Sequence, residues 1–181
     1  MQKTAFKFKL ILCMLLAGLT LATPPKADAL QVGQSAPLFQ LQAHDGDSIS
    51  LAARQGKGWT VLYFYPKAGT PGCTAQACAF RDAIELIRKQ NAEVYGISTD
   101  AVKDLLAFHQ QHKLTFTLLA DEDAKISEAY GVKMPFLNMA KRWTFIVDPN
   151  LTIRRIDDDV DPALDAKRVA EMLKQLQAAA N

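Results

Sequence analysis

The spacing of apolar residues along the chain changes between a period of about two and a period of about 3.6, which predicts a mixture of strands and helices. Residues 59–65 are almost all apolar or aromatic, as in a strand buried on both faces, and Pro66 ends this run. Apolar residues at helical spacing follow at Phe80, Ile84 and Ile87. The chain is therefore predicted to pass from a central strand straight into an amphipathic helix.

The other predicted elements are shorter. Alternating apolar residues on both sides of Asp45-Gly46-Asp47 predict an N-terminal β-hairpin. Three more strands are predicted at 94–97, 143–147 and 152–156, and three more helices near 102–109, 124–130 and 169–176. An α/β fold with a central mixed β-sheet flanked by helices accommodates this order.

Charge is distributed unevenly along the 181 residues, whose formal net charge is +2. Residues 1–29 hold four lysines and one acidic residue, so residues 30–181 carry a net charge of −1. Such a near-neutral body lacks the basic surface that nucleic acids or anionic membranes require. Its 152 residues form one predicted domain, and a domain of that size buries roughly 70% of its unfolded surface.

Residues 1–29 are predicted to be a secretory signal peptide. Lysines precede an apolar run of 13 residues at 10–22, which is shorter than the roughly 20 residues of a membrane-spanning helix. Cleavage is expected after Ala29, with Ala22 as an alternative, and an uncleaved anchor is a further alternative. Cleavage would remove Cys13 and leave an exported, periplasmic protein with two cysteines and no stable membrane association.

These two cysteines follow the central strand, in a position where α/β sheets commonly carry functional sites. Thr70 suits the N-cap of the predicted helix and Pro71 its first position. Cys73 would then lie in the first turn, where unpaired backbone N–H groups and the helix dipole favour its thiolate form.

Cys78 lies five residues further along the same helix. Five residues rise about 7.5 Å and rotate by about 500°, whereas a disulfide needs Cα atoms within about 7 Å of each other. Three interpretations remain: a resting structural bridge, two unrelated thiols, and a redox pair that forms a disulfide only when the first helical turns melt. The third explains the spacing best.

The sequence also resembles a known family. Pro66, Thr70 and Cys73 match the active-site motif of peroxiredoxins, and Thr70-Pro71-Gly72-Cys73-Thr74 followed by Cys78 is similar to the branch called bacterioferritin comigratory protein, or peroxiredoxin Q. The resemblance continues through blocks at 80–82, 96–98, 118–122 and 130–132. It implies a thioredoxin-like fold and a monomeric peroxidase without metal or other cofactor.

The same resemblance implies roles for individual residues. Cys73 corresponds to the peroxidatic cysteine and Cys78 to the resolving one. Thr70 would hydrogen-bond the peroxide, Pro66 would shield the pocket from water, and Arg142 would hold both the thiolate and a peroxide oxygen. Thr70 as a mere N-cap, Pro66 as a strand terminator and Arg142 as a solvated charge are the alternatives.

The implied reaction is the reduction of hydrogen peroxide and organic hydroperoxides, with a thioredoxin-like dithiol protein as reductant. A peroxide or disulfide sensor and a thiol–disulfide oxidoreductase are the alternative functions. The oxidoreductase is less favoured because such catalysts usually place their cysteines two residues apart. The apolar loop of Met134, Phe136, Leu137 and Met139 is expected to pack in the core, with a pocket wall or a docking face as alternatives.

Overall fold

A computed structural model describes residues 30–180. The predicted signal peptide lies outside these residues. The fold is built on one seven-stranded mixed sheet in the order β2-β1-β5-β4-β3-β6-β7, in which β3 pairs in parallel with β4, and β4 in parallel with β5. The strands are β1 (Gln40–Ala43), β2 (Ser48–Ser50), β3 (Trp59–Phe64), β4 (Ala92–Ser98), β5 (Thr117–Ala120), β6 (Trp143–Val147) and β7 (Ile153–Asp157). This arrangement confirms the predicted α/β fold.

Within residues 30–180, four α-helices cover the sheet: α1 (Pro71–Arg88), α2 (Val102–Gln111), α3 (Lys125–Ala129) and α4 (Asp165–Ala180). Side chains alternate across each strand, so β3 contributes to two separate cores. Val61 and Tyr63 pack with α1, α2 and α4. Leu62 and Phe64 pack on the opposite face against Tyr130 and the buried residues between 36 and 51. The strand is completely buried because both of its faces are covered, as its apolar run predicted.

Helix α1 begins directly after the loop that leaves β3. Its buried residues lie on one face and become bulkier along the helix: Cys73, Gln76 and Ala77 come first, and Phe80, Ile84 and Ile87 follow. Among the described helices, α1 packs most extensively against α4, which lies beside it on the same face of the sheet. The start of α1 is therefore enclosed by the end of β3, the start of β6 and the start of α4.

The two edges of the sheet have different origins. At one edge, β1 and β2 form an antiparallel hairpin around Asp45 and Gly46, and β1 also pairs with β5. At the other edge, β6 and β7 are antiparallel and connected by a turn in which Leu151 has a φ of 61°. This is the left-handed region that glycine adopts most readily. Within residues 30–180, no helix combines the length and the hydropathy needed to cross a membrane.

Candidate active site

Cys73 lies in the first turn of α1, where the sequence placed it. Thr70 occupies the N-cap position and Pro71 the first helical position, and the Thr74 amide makes the first helical hydrogen bond to the Thr70 carbonyl at 2.8 Å. The backbone N–H groups at the start of a helix have no helical acceptor and carry partial positive charge. Cys73 is only 1% exposed, so its sulfur experiences this field in surroundings with little water.

The Thr70 side chain does not cap the helix. Its hydroxyl instead donates to the Lys67 carbonyl at 3.0 Å, across the loop between β3 and α1. The hydroxyl hydrogen is used in this bond, but the oxygen keeps its lone pairs and is exposed. It can therefore accept a hydrogen bond from a molecule that approaches Cys73. Thr70 is therefore the N-cap by backbone position, but its hydroxyl is not committed to capping the helix.

A buried carboxylate just after β4, the strand beside β3, holds this loop in place. Asp100 accepts hydrogen bonds from the Ala68 amide at 2.8 Å, the Lys67 ammonium at 3.0 Å and the Ser98 hydroxyl at 2.9 Å. Bonds to an ionised acceptor are roughly twice as strong as those between neutral groups. Asp100 therefore fixes the loop that carries Pro66, which is half-buried next to the site.

Arg142 approaches Cys73 from the residue before β6. Its Nη2 donates to Cys73 Sγ at 3.3 Å, and its Nη1 donates to the side-chain oxygen of Gln76. The planar guanidinium thus makes two bonds in different directions, which a lysine ammonium could not reproduce with the same geometry. The structure brings Arg142 and Cys73 into contact, which rules out the alternative that Arg142 is a solvated surface charge.

Two tyrosines, one in β3 and one directly after it, complete the buried side of the site. The hydroxyls of Tyr63 and Tyr65 are both enclosed and have no hydrogen-bond partner among the described residues. Burial raises the pKa of each phenol, and the nearby Cys73 raises it further. Both phenols are therefore neutral at physiological pH and provide weakly polar walls close to the thiol.

Cys78 is also in α1, half-exposed, and both thiols are free. The helix is continuous between the two cysteines, and five residues of an ideal helix separate Cα atoms by roughly 8.6 Å. Arg81 lies one turn beyond Cys78, and its pKa is raised mainly by the Asp82 carboxylate, with a smaller contribution from Cys78. A cation therefore accompanies the second thiol as well.

Other features of the chain fall outside this site. Phe136 projects wholly into solvent and Leu137 is 49% exposed, so the expectation that both pack in the core is wrong. Among the described residues, no three His, Cys, Asp or Glu side chains are grouped as metal ligands. His44 and His109 stack on each other with ring centroids 3.8 Å apart, at the α2 side of the sheet.

Sequence reasoning missed two members of the site. Gln76 is buried one helical turn after Cys73, and this i, i+3 spacing was a signal that could have identified it. Asp165, at the start of α4, is 1% exposed and binds the Gln76 amide, but it lies 89 positions away from it in the sequence. No local pattern indicates that contact.

The comparisons with known proteins agree with this geometry. The model of the AhpC/TSA family matches residues 32–156. Peroxiredoxin Bcp of Escherichia coli is 38% identical over 152 residues, which cover 81% of this chain and 97% of that protein. The chloroplastic peroxiredoxin Q of Suaeda salsa is 41% identical, and the match covers 81% of this chain and 67% of that longer protein.

A solved structure supports the same relationship. The bacterioferritin comigratory protein of Xanthomonas campestris, whose structures describe alkyl peroxide reduction, superimposes with a TM-score of 0.71 and 29% identity, covering 76% of this chain and 91% of that one. The sequence match and the fold point to the same group of proteins. The chain therefore belongs to the AhpC/TSA family, as a peroxiredoxin of the Bcp/Q type.

Proposed function

We propose that this thiol-dependent peroxidase uses Cys73 as the attacking thiolate and Cys78 as the resolving thiol. The observation that carries the proposal is the contact of 3.3 Å between Arg142 Nη2 and Cys73 Sγ at the start of a helix. A guanidinium and the free backbone N–H groups at a helix start can stabilise negative charge on sulfur, and the thiolate is the nucleophilic form of cysteine. The helix and Arg142 thus act on the same atom.

In the first step, Cys73 Sγ bonds to one oxygen of the hydroperoxide as the O–O bond breaks. The electron pair leaves on the other oxygen, which takes up a proton and departs as water or an alcohol, while the cysteine becomes a sulfenic acid. Arg142 can stabilise the negative charge as it moves from sulfur to the departing oxygen. Thr70 Oγ can accept the hydrogen bond of the hydroperoxide O–H, which orients the molecule for attack.

In the second step, Cys78 attacks the Cys73 sulfenic acid, so that a disulfide forms and water leaves. The continuous helix keeps the two residues too far apart for this bond, and the first turns of α1 must unwind. A dithiol protein of the thioredoxin type then reduces the disulfide by thiol–disulfide exchange. Organic hydroperoxides are included as substrates because the Xanthomonas relative reduces alkyl peroxides.

Two serine variants separate the roles of the cysteines. Cys73→Ser should abolish peroxide consumption. Cys78→Ser should retain one rapid oxidation per molecule but lose recycling by a thioredoxin system. Peroxide consumption coupled to thioredoxin reduction measures both effects. Normal turnover by Cys73→Ser would refute the assignment of Cys73, and normal recycling by Cys78→Ser would refute that of Cys78. Turnover well beyond one peroxide per molecule distinguishes the enzyme from a sensor.

Export and a monomeric state are part of the same proposal. The lysines and the apolar run of residues 1–29 support cleavage after Ala29 and a periplasmic location. N-terminal sequencing of the protein purified from a periplasmic extract tests the cleavage, and light scattering after gel filtration tests the monomer. A first residue other than Leu30, or a mass near twice 17 kDa (about 110 Da per residue), would contradict the respective part.

A further inference from the structure

A carboxylate is buried directly behind the site. Asp165, the first residue of α4, is 1% exposed. Its Oδ2 accepts hydrogen bonds from Gln76 Nε2 at 2.6 Å and from Thr144 Oγ1 at 2.8 Å, whereas its Oδ1 has no partner among the described residues. A buried carboxylate with one unpartnered oxygen is costly for a fold to retain, so its bonds require an explanation beyond packing.

The bond to Gln76 connects this carboxylate to the thiol. A side-chain amide donates through nitrogen and accepts through oxygen, so its two neighbours determine its orientation. Asp165 accepts a hydrogen bond from the side-chain nitrogen of Gln76, so the side-chain oxygen of Gln76 faces Arg142 Nη1 and accepts from it. The other guanidinium nitrogen of Arg142 contacts Cys73 Sγ at 3.3 Å. The four side chains form an unbroken hydrogen-bonded chain from α4 to the sulfur.

The electrostatic surroundings of Asp165 are mixed. Burial is the main cause that raises the pKa of Asp165 to about 6, Asp157 from β7 raises it further, and Gln76, Thr144 and Arg142 lower it. Tyr63 from β3 also lies close enough for the carboxylate to raise its pKa, and this phenol is neutral. Arg142 is thus the cation that faces the carboxylate, with Gln76 between them.

We infer that Asp165 is a positioning residue that holds the Arg142 guanidinium against Cys73 by fixing the orientation of the Gln76 amide. This inference rests on the proposed role of Cys73 as the attacking thiolate. Without the acceptor at Asp165, the Gln76 amide is free to rotate and present its nitrogen to Arg142. Two donors would then face each other, and the guanidinium would move away from the sulfur.

The experiment compares Asp165→Ala, which removes the acceptor, with Asp165→Asn, whose side-chain oxygen can still accept from Gln76 and Thr144. The first readout is the rate at which iodoacetamide alkylates Cys73 between pH 4 and pH 9, in a Cys78→Ser background. The second is kcat/KM for hydrogen peroxide. Alkylation follows thiolate formation and does not depend on peroxide chemistry, so a failure of the proposed function is distinguishable from a failure of this inference.

Asp165→Ala is expected to slow alkylation at pH 6 and to lower kcat/KM, each by roughly tenfold, which corresponds to partial loss of one hydrogen bond to a charged group. Asp165→Asn should stay within about threefold of the wild type, because its geometry is preserved. Val169→Ala, a buried truncation in the same helix, is the control for lost stability alone and should change neither rate. Urea unfolding reports the stability of each variant.

A double-variant cycle tests the connection through Gln76. Gln76→Met removes the amide but keeps the side-chain length, and on its own should slow alkylation of Cys73 at pH 6. Adding Asp165→Ala to Gln76→Met should cause no further slowing, because both changes break the same chain. Unchanged alkylation in Gln76→Met, equal losses in Asp165→Ala and Asp165→Asn, or multiplied losses in the double variant would each overturn the inference. If Asp165→Ala fails to fold, the alkylation rate of Gln76→Met decides the inference, with Asp165→Asn and Val169→Ala as controls.

Discussion

Arg142→Met is the sharpest test of how the site activates its thiol. Methionine has an apolar side chain of similar length, and the change removes the guanidinium that lies 3.3 Å from Cys73 Sγ. Two unit charges at that separation interact by about 5 kcal/mol at an effective dielectric constant near 20. Because Arg142 is only partly buried, water screens part of this energy. A hydrogen bond to a charged group, roughly 1.5–3 kcal/mol, is the better measure of the loss.

This energy corresponds to a decrease of roughly 10- to 150-fold in the rate constant for oxidation of Cys73. Quenched-flow mixing with hydrogen peroxide, followed by alkylation and mass spectrometry, measures that single step without the reductant. Arg142→Lys should give an intermediate rate, because an ammonium retains the charge but cannot bridge Cys73 and Gln76 together.

Lys141→Met is the matched control. It removes one positive charge at the adjacent position, where the ammonium lies 5.7 Å from the centre of the Trp143 ring. Its rate should remain within about twofold of the wild type, since this half-exposed ammonium lies against the Trp143 ring and charges in contact with water interact weakly at a distance. If Lys141→Met and Arg142→Met slow the oxidation equally, net charge and not the specific contact with sulfur determines the reactivity, and the reasoning is refuted.

Three further predictions concern stability, and the first of them also concerns rate. Gly72→Ala would place a Cβ 3.2 Å from Arg142 Nη2. Urea unfolding should show an unfolding free energy higher by roughly 0.5–1 kcal/mol, because alanine favours the helix over glycine. Quenched flow should show slower oxidation of Cys73, and faster oxidation would contradict this prediction. Burial raises the pKa of Asp165 to about 6, so the wild type loses stability as pH rises from about 4 to 6. Asp165→Asn lacks this titration. Its unfolding free energy relative to that of the wild type should therefore rise by up to about 3 kcal/mol over that interval. Burial and His44 lower the pKa of His109, so stability is lost as pH falls below about 6.5. Unfolding of His109→Phe in urea at pH 7.5 and pH 5 should show a smaller loss, and an equal loss would exclude His109 as its source.

Elements with a strong local pattern could be predicted from the sequence. The run at 59–65 and the helical spacing after Cys73 correspond to β3 and α1, with differences of one or two residues at the ends. Strand β5 was missed, because Leu118, Leu119 and Ala120 form a short apolar run of residues that also favour helices. They form a strand because β1 and β4 supply hydrogen-bonding partners on both sides, and this is a property of the whole sheet.

The site was predictable to a similar extent. Cys73 and Arg142 could be proposed because family motifs surround both residues, but the bond between them depends on the antiparallel pairing of β3 with β6. The pairing of Gln76 with Asp165 depends on how α4 packs beside α1, which no local sequence signal specifies. Phe136 was misplaced because hydropathy alone cannot distinguish a core residue from an exposed apolar one.

The increase in side-chain size along α1 has a consequence for recycling. In the proposed mechanism, the segment that unwinds so that Cys78 can reach Cys73 buries a thiol, an amide and the methyl group of Ala77, whereas the bulky residues Phe80, Ile84 and Ile87 come afterwards. Unravelling this segment therefore exposes little apolar area and leaves the second core, across the sheet, untouched. The same movement withdraws Gln76 from between Arg142 and Asp165. Each oxidation would thus break the hydrogen bonds that hold Arg142 beside Cys73, and each reduction would restore them.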